Sequence, residues 1–524
     1  MCQIMKGILF VLFIVFSLGA FAQEPAMLWL KGIGGNNDED GIYRQVTTTQ
    51  DGGFIVNMYS VSDAGTGNID SLCSIGGRKV IFAKYNADAS IREWTKCYGQ
   101  NGDSFIIYLF PTSDSGAVLG GEYNTTAPVN GLLIWKEDAV GNILWTHRYS
   151  KGNSIGLTDM IATKDGGYVM LGQVYYTDTN FIVHNSASLN GDIAVLKLDS
   201  LGNKVWSKAI GGSDDEVAYG IVENADSGYY IAGGTASDDY DCVGNHGAYD
   251  VYIVRLDRNG NIIWHRDLGG SDGEIGRAVT ANGKGGLIVT AITGSSDGDI
   301  SHPVAPNPGY WAIEMDSNRN IIWDNCYGGG GGYCYPNAVC KSIDGSVWLA
   351  GVNSHTGGGA DTAYGGEDAW IVHTDSSGNF INAKVLGSNQ QDEANMVYPL
   401  SNGNVITGGY YFDSSGSFSS IRYYGAIDDF LAVFSPSATS VRQVSDMGKS
   451  ARAYPNPAKD IVNFETADVF FYSVQVYDVI GNMVFNNGRA KNIQIKVGDW
   501  PRGIYYAHVT GEEGGRCTLK LILD

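Results

Sequence analysis

The chain has 524 residues, well beyond one ordinary domain, with 44 % apolar and 17 % charged residues and a net charge of −22. That composition supports a packed core and argues against disorder. The negative charge argues against sequence-independent nucleic-acid binding and against electrostatic adsorption on anionic lipid, both of which need Lys/Arg patches. The 72 glycines, 31 tyrosines and 11 tryptophans favour short strands and tight turns over helices.

Residues 1–22 carry one basic residue, Lys6, then the apolar run GILFVLFIVFSLGAFA, ending in Ala20-Phe21-Ala22. This is the pattern of a secretory signal peptide, and the run is short for a membrane span. The mature chain is therefore expected to be exported, without a transmembrane segment. Export permits disulfides, and Cys326, Cys334 and Cys340 lie close enough in sequence to pair or to serve as small buried hydrophobes. No CxxC, HExxH or HxxxH spacing supports a zinc site.

From Trp29 onward the chain repeats. Trp29, Trp94, Trp145, Trp206, Trp264 and Trp323 recur every 51 to 65 residues, with Asn382 in the seventh place. Most follow a turn of the form Asp-x-x-Gly-Asn, as in DAVGNILW, DSLGNKVW and DRNGNIIW. A second landmark (DGGFIV, DGGYVM, DSGYYIAGG) and a third (VIFAKY, IAVLKL, VYIVRL) recur in step, seven times each. Each unit reads as four antiparallel strands, A to D, too small to bury its own faces. The expected fold is all-β: a seven-bladed β-propeller over residues 23–435, followed by a small C-terminal β-sandwich. The phase of the repeat predicts that a lone N-terminal strand, 28–33, completes the last blade by pairing with 428–434 and so removes the open edges.

In such a propeller the A–B and C–D turns share one face, and the long B–C loops share the other with the D–A loops. Long loops on a rigid scaffold are where binding usually resides. The D–A loops are acidic, so Asp40, Asp103, Glu216, Glu274 and Asp392 are predicted to point toward the axial mouth, together with the loop residues His246 and Tyr249. Such oxygen donors suit Ca²⁺ or a cationic group, although no DxDxDG loop is present. Paired carboxylates also suit glycoside chemistry, but charge runs are commonly solvated turn residues. No catalytic residue can be assigned. The reading favours a binding module for a protein or glycan over a polysaccharide hydrolase or lyase, or a structural adhesin.

Residues 436–449 form a polar stretch read as a linker, and 450–524 hold 8 Lys+Arg and 8 Asp+Glu, so the acidity belongs to the propeller. The tail carries, in order, Tyr454-Pro455-Asn456-Pro457, Gly481-Asn482, Gly503 with Tyr505, and Arg516 with Lys520. This set resembles the type A C-terminal sorting domain of the type IX secretion system of Bacteroidota. The resemblance implies that these ten residues belong to a sorting signal read by the secretion machinery, and that the chain reaches the cell surface or medium through the periplasm and outer membrane. The propeller units also resemble the glycine-rich repeats of secreted Bacteroidota proteins, which carries no activity with it.

Overall fold

The computed structural model describes residues 25–34, 42–49, 51–60, 79–87, 91–99, 104–125, 129–149, 155–175, 180–183, 190–303, 309–328, 333–354, 363–435, 451–454, 458–466, 471–477, 483–487, 492–511 and 516–523. The signal-peptide and linker expectations lie outside these residues. Among them no helix is long and apolar enough to cross a membrane. The chain divides into two compact units, Met1–Ala438 and Thr439–Asp524.

The first unit is a β-propeller, with seven four-stranded antiparallel sheets among the described residues. Blades 1 to 6 occupy 42–99, 104–149, 155–210, 216–268, 274–327 and 334–386, and blade 7 occupies 392–435. Blade 7 takes its outer strand from the other end of the chain. Ala26–Ile33 pairs antiparallel with Asp428–Ser435, with Leu30 opposite Ala432 and Ile33 opposite Asp429. The innermost strands of blades 1 and 2 and of blades 3 to 7 pack in succession, that of blade 3 packs on the two middle strands of blade 2, and those of blades 1 and 7 meet, which closes the ring.

Burial follows from this packing. In blade 4 the middle strands, Tyr229–Thr235 and Asp250–Leu256, are buried at every position because a neighbouring blade covers each face. The innermost strand, Glu216–Glu223, alternates instead: Glu216 and Ala218 are buried, while Val217 and Tyr219 are partly exposed. A register shift between Ala218 and Gly220, repeated at Gly276/Ala278, Pro336/Ala338 and Ala394/Met396, bends this strand where the blades converge.

The repeat motif is legible in its turns. In the C–D turn of blade 3, Asp199 accepts from the backbone N–H groups of Leu201 (2.9 Å) and Asn203 (2.8 Å). Asn203 Nδ2 returns a bond to the same carboxylate at 3.0 Å. Gly202 supplies the required φ of 78°. On the same face an ion pair ties the A–B turn to strand C: Asp51 to Lys84, Asp114 to Lys136, Asp165 to Lys197 and Asp226 to Arg255. The Lys84 ammonium beside Asp51 holds that carboxyl well below its ordinary range.

At three blade interfaces among the described residues the repeated Trp rests on the glycine of the next blade's C–D turn. A Cβ built on Gly202 would lie 2.7 Å from the Trp145 ring, one on Gly260 2.8 Å from Trp206, and one on Gly378 2.4 Å from Trp323.

The second unit contains a three-stranded and a four-stranded antiparallel sheet. They share one apolar core that includes Val462, Phe464, Val474, Val476, Ile495, Ala507 and Leu521.

Candidate functional site

The expected acidic mouth is corrected by strand parity. Asp40 and Asp103 lie outside the described residues. Glu216, Glu274 and Asp392 are fully buried, and each begins an innermost strand with its carboxylate turned into the blade interface. Glu216 accepts from Gly212 N (2.7 Å) and Thr235 Oγ1 (2.7 Å). Glu274 accepts from the backbone N–H groups of Gly270 (2.8 Å), Gly294 (3.0 Å) and Ser295 (3.0 Å). Asp392 accepts from Ser388 N (2.5 Å), Ser388 Oγ (3.0 Å) and Phe412 N (3.2 Å). Each carboxylate thus laces its D–A loop to the following B–C segment. With its oxygens used in this way, none offers an open Ca²⁺ cage, and no group of three His, Cys, Asp or Glu converges on a metal position among the described residues.

A second buried carboxylate, from strand C of the preceding blade, stands near each of them. A Cβ on Gly269 would meet both Asp250 Oδ1 (2.5 Å) and Glu274 Oε2 (2.9 Å), and one on Gly211 both Glu216 Oε2 (2.5 Å) and Asp192 Oδ1 (2.7 Å). Burial raises the Glu216 carboxyl. Burial pushes Asp368 up to about 6 and, with Asp368 nearby, Asp392 up to about 7. Glycine at Gly211 and Gly269, the first of the pairs Gly211-Gly212 and Gly269-Gly270, is therefore demanded by close approach to these acids.

The residues that do face the axis are the next ones along the same strands. Glu393 is partly exposed and gathers partners from two blades: Asn337 Nδ2 donates to Oε1 at 2.6 Å, and Tyr410 OH donates to Oε2 at 2.6 Å. Tyr335 OH lies 3.5 Å from the same Oε2. Arg277 Nη2 donates to Asn337 Oδ1 at 3.2 Å, and its guanidinium lies 4.5 Å from the Tyr219 ring centroid. Blades 4 to 7 thereby contribute one connected arc of phenol, guanidinium, amide and carboxylate. Burial, reinforced by the Glu393 charge, raises Tyr410 and Tyr335 far above the ordinary phenol range, so both remain donors. The period-two rule applied one residue later would have found Glu393, Tyr335 and Arg277 in the sequence.

The remaining candidates fall on the long-loop face. His246 is about half exposed, and its Nδ1 lies 2.6 Å from buried Asp250, whose bond raises the imidazole above its ordinary value. Tyr249 donates to Asp215 Oδ2 at 3.0 Å, and Gln173 Nε2 donates to Asp215 Oδ1 at 3.0 Å. The long B–C loop expected in blade 2 is short, because strands Ala117–Thr125 and Val129–Glu137 extend to within three residues of each other. Cys334 and Cys340 are buried and Cys326 partly so, none of them in a disulfide, and Cys334 Sγ donates to Asn353 Oδ1 at 3.2 Å.

In the tail, Pro455, Asn456, Pro457, Gly481 and Asn482 lie outside the described residues. Tyr454 is exposed at the end of its strand, and Gly503 opens another with a φ of 144°. Tyr505 is buried, donates to Pro501 O at 2.7 Å and stacks near Trp500. Arg516 and Lys520 lie on the last strand, opposite Thr510 and Tyr506.

Residues 452–524 match the secretion system C-terminal sorting domain family. Over 224 residues the chain is 23 % identical to the regulatory protein FlaEY of Caulobacter vibrioides, covering 41 % of this chain and 23 % of that one. Over 87 residues it is 30 % identical to an endo-acting ulvan lyase of Formosa agariphila, covering 16 % and 17 %. It thus spans less than a quarter of the length of either relative. Similar solved structures include a Dyadobacter fermentans protein of unknown function, at 12 % identity and a TM-score of 0.40, covering 78 % of this chain and 99 % of that one. A polysaccharide lyase, an ulvan lyase, aligns at 9 % identity and a TM-score of 0.39, covering 72 % and 93 %. The chain is a β-propeller protein carrying a type IX secretion C-terminal sorting domain, which directs it to the cell surface or extracellular space.

Proposed function

We propose that this exported protein is a binding module whose long-loop face and axial mouth take a hydroxyl-rich ligand, a glycan. The observation that carries the reading is the arc Arg277–Asn337–Glu393–Tyr410. It presents two donors, Arg277 and Tyr410, and an acceptor, Glu393, already oriented by bonds to one another and to the buried Asn337. Such preorganised polar groups suit a ligand whose hydroxyls both donate and accept, since little ordering remains at the moment of binding. The arc holds no nucleophile–base pair, so binding without bond cleavage is the simpler chemistry.

The test is a glycan-array screen of the full mature chain, followed by product analysis on any glycan retained. Retention without new products supports the reading. New products would replace it with a polysaccharide-cleaving activity, and retention of nothing would leave a structural role in the cell coat.

A further inference from the structure

The contact between blades 1 and 2 differs from its counterparts, and the difference starts from one residue. Strand C ends on Tyr85, Leu198, Leu256, Met315 and Thr374 in blades 1, 3, 4, 5 and 6, but on Glu137 in blade 2. Glu137 is buried, and it draws the polar ends of Lys96 (3.0 Å) and Tyr98 (2.5 Å) from blade 1. At the blade 2–3 contact the equivalent residues, His147 and Tyr149, bond instead to the turn carbonyls of Leu201 and Gly202. At the blade 5–6 contact Asn325 (3.0 Å) and Tyr327 (2.5 Å) both hold Gly378 O.

At these two contacts the carbonyl bonds accompany a turn that rests on the Trp ring. Where Glu137 diverts them, the turn stands off: no atom lies within 4 Å of a Cβ built on Gly141. The space left is a cavity of about 640 Å³, walled by Trp94, Thr95 and Lys96 on one side and by Asp51, Thr112 and Ala139 around the rim. Its size falls within the roughly 300–1,000 Å³ of small-molecule sites. The two ammonium groups are already engaged, Lys84 by Asp51 and Glu93 and Lys96 by Glu137, so the surroundings offer no spare positive charge.

We propose that this cavity is a second ligand site, on the turn face opposite the axial mouth, and that it takes an uncharged sugar unit of a glycan. A pyranose presents a C–H face that packs on an indole and a rim of hydroxyls that bond to carboxylate and hydroxyl partners. Trp94 supplies the first surface, and Asp51 and Thr112 supply the second. Three carboxylates around two ammonium groups disfavour a uronate or sulfated sugar. The inference does not depend on the axial reading, since the two sites share no residue.

The full mature chain is titrated calorimetrically with cellotriose, mannotriose and xylotriose, and with trigalacturonate as the anionic probe. The expected result is that a neutral trisaccharide binds with Kd below about 1 mM and that trigalacturonate binds at least about tenfold more weakly. Ala139→Trp fills the cavity from an exposed turn position without touching Trp94, and it should weaken binding about tenfold or more with the melting temperature unchanged. Trp94→Ala should do the same, and Ala139→Trp keeps the test intact if Trp94→Ala unfolds. Absence of binding by every neutral trisaccharide, or equal affinity in Ala139→Trp, would overturn the inference. Binding lost in Glu393→Gln but kept in Ala139→Trp would also overturn it, while leaving the axial reading in place.

Discussion

Asp392 and Glu393 are adjacent in one strand and serve opposite faces: Asp392 is fully buried against Ser388, while Glu393 reaches Tyr410 and the neighbouring blade's Asn337. A sheet's period of two makes this separation unavoidable. One acid is buried within the ring, and the other is partly exposed. The same division recurs at Glu216/Val217 and Glu274/Ile275, although there the axial residue is apolar.

The buried acids give stability a definite pH dependence. Asp392 titrates at about 7 and Asp368 at about 6 in the fold, both raised by burial, against about 3.9 for an unfolded Asp. A raised carboxyl binds its proton more tightly when folded, so its contribution is complete below about pH 4 and lost as the pH rises through the folded value. His246, raised by Asp250, acts in the same direction. Stability should therefore fall from about pH 5 to pH 8, on the order of 3 kcal/mol in total. Asp392→Asn should flatten the curve, and denaturant melts at three pH values would detect it. An unchanged slope in that variant would remove Asp392 as its source.

The Trp clasp makes a paired prediction. Gly378 and Gly141 both adopt positive φ, 77° and 91°, so alanine pays a similar backbone penalty at either position. Only at Gly378 would the new Cβ also strike the indole of the preceding blade, 2.4 Å from Trp323. Gly378→Ala should cost roughly 1–3 kcal/mol more than Gly141→Ala. Equal losses would mean that the clasp contributes little to the interface.

Closure of the ring by residues 26–33 should be global in effect. Deleting that strand uncovers the edge of Asp428–Ser435 and removes buried Ile33 and half-buried Leu30 from the cores of blade 7. Unfolding free energy should drop by at least about 3 kcal/mol, with the transition still single. A separate early transition confined to blade 7 would contradict this.

Passage from the periplasm to the cell surface should depend on the tail. A chain ending at residue 449 should fold its propeller and remain in the periplasm of a competent host, detectable by fractionation. Normal appearance at the surface would contradict the sorting role of 452–524.

The fold was legible because each unit repeats its turn chemistry. Asp199, Gly202 and Asn203 each have a fixed duty in the C–D turn, and the recurrence of that turn in step with the other landmarks leaves little freedom in the strand order. The closing strand was legible for the same reason, since the repeat array opens on a lone outer strand and closes on a unit that lacks one. The candidate site was less so. Its acids were placed in the mouth because they follow a loop, whereas the strand already begins at Glu216, Glu274 and Asp392 and turns them inward. The blade 1–2 cavity was invisible for another reason: it depends on Glu137 diverting Lys96 and Tyr98, a contact between residues about forty positions apart.

The measurement that bears most directly on the account is the affinity of Glu393→Gln and Asp392→Asn for a glycan selected by the array. The account predicts that Glu393→Gln weakens binding by about tenfold or more with its fold intact by circular dichroism. Asp392→Asn should leave affinity within about twofold while changing only the pH profile of stability. Equal affinity in Glu393→Gln and the natural chain would contradict the axial site.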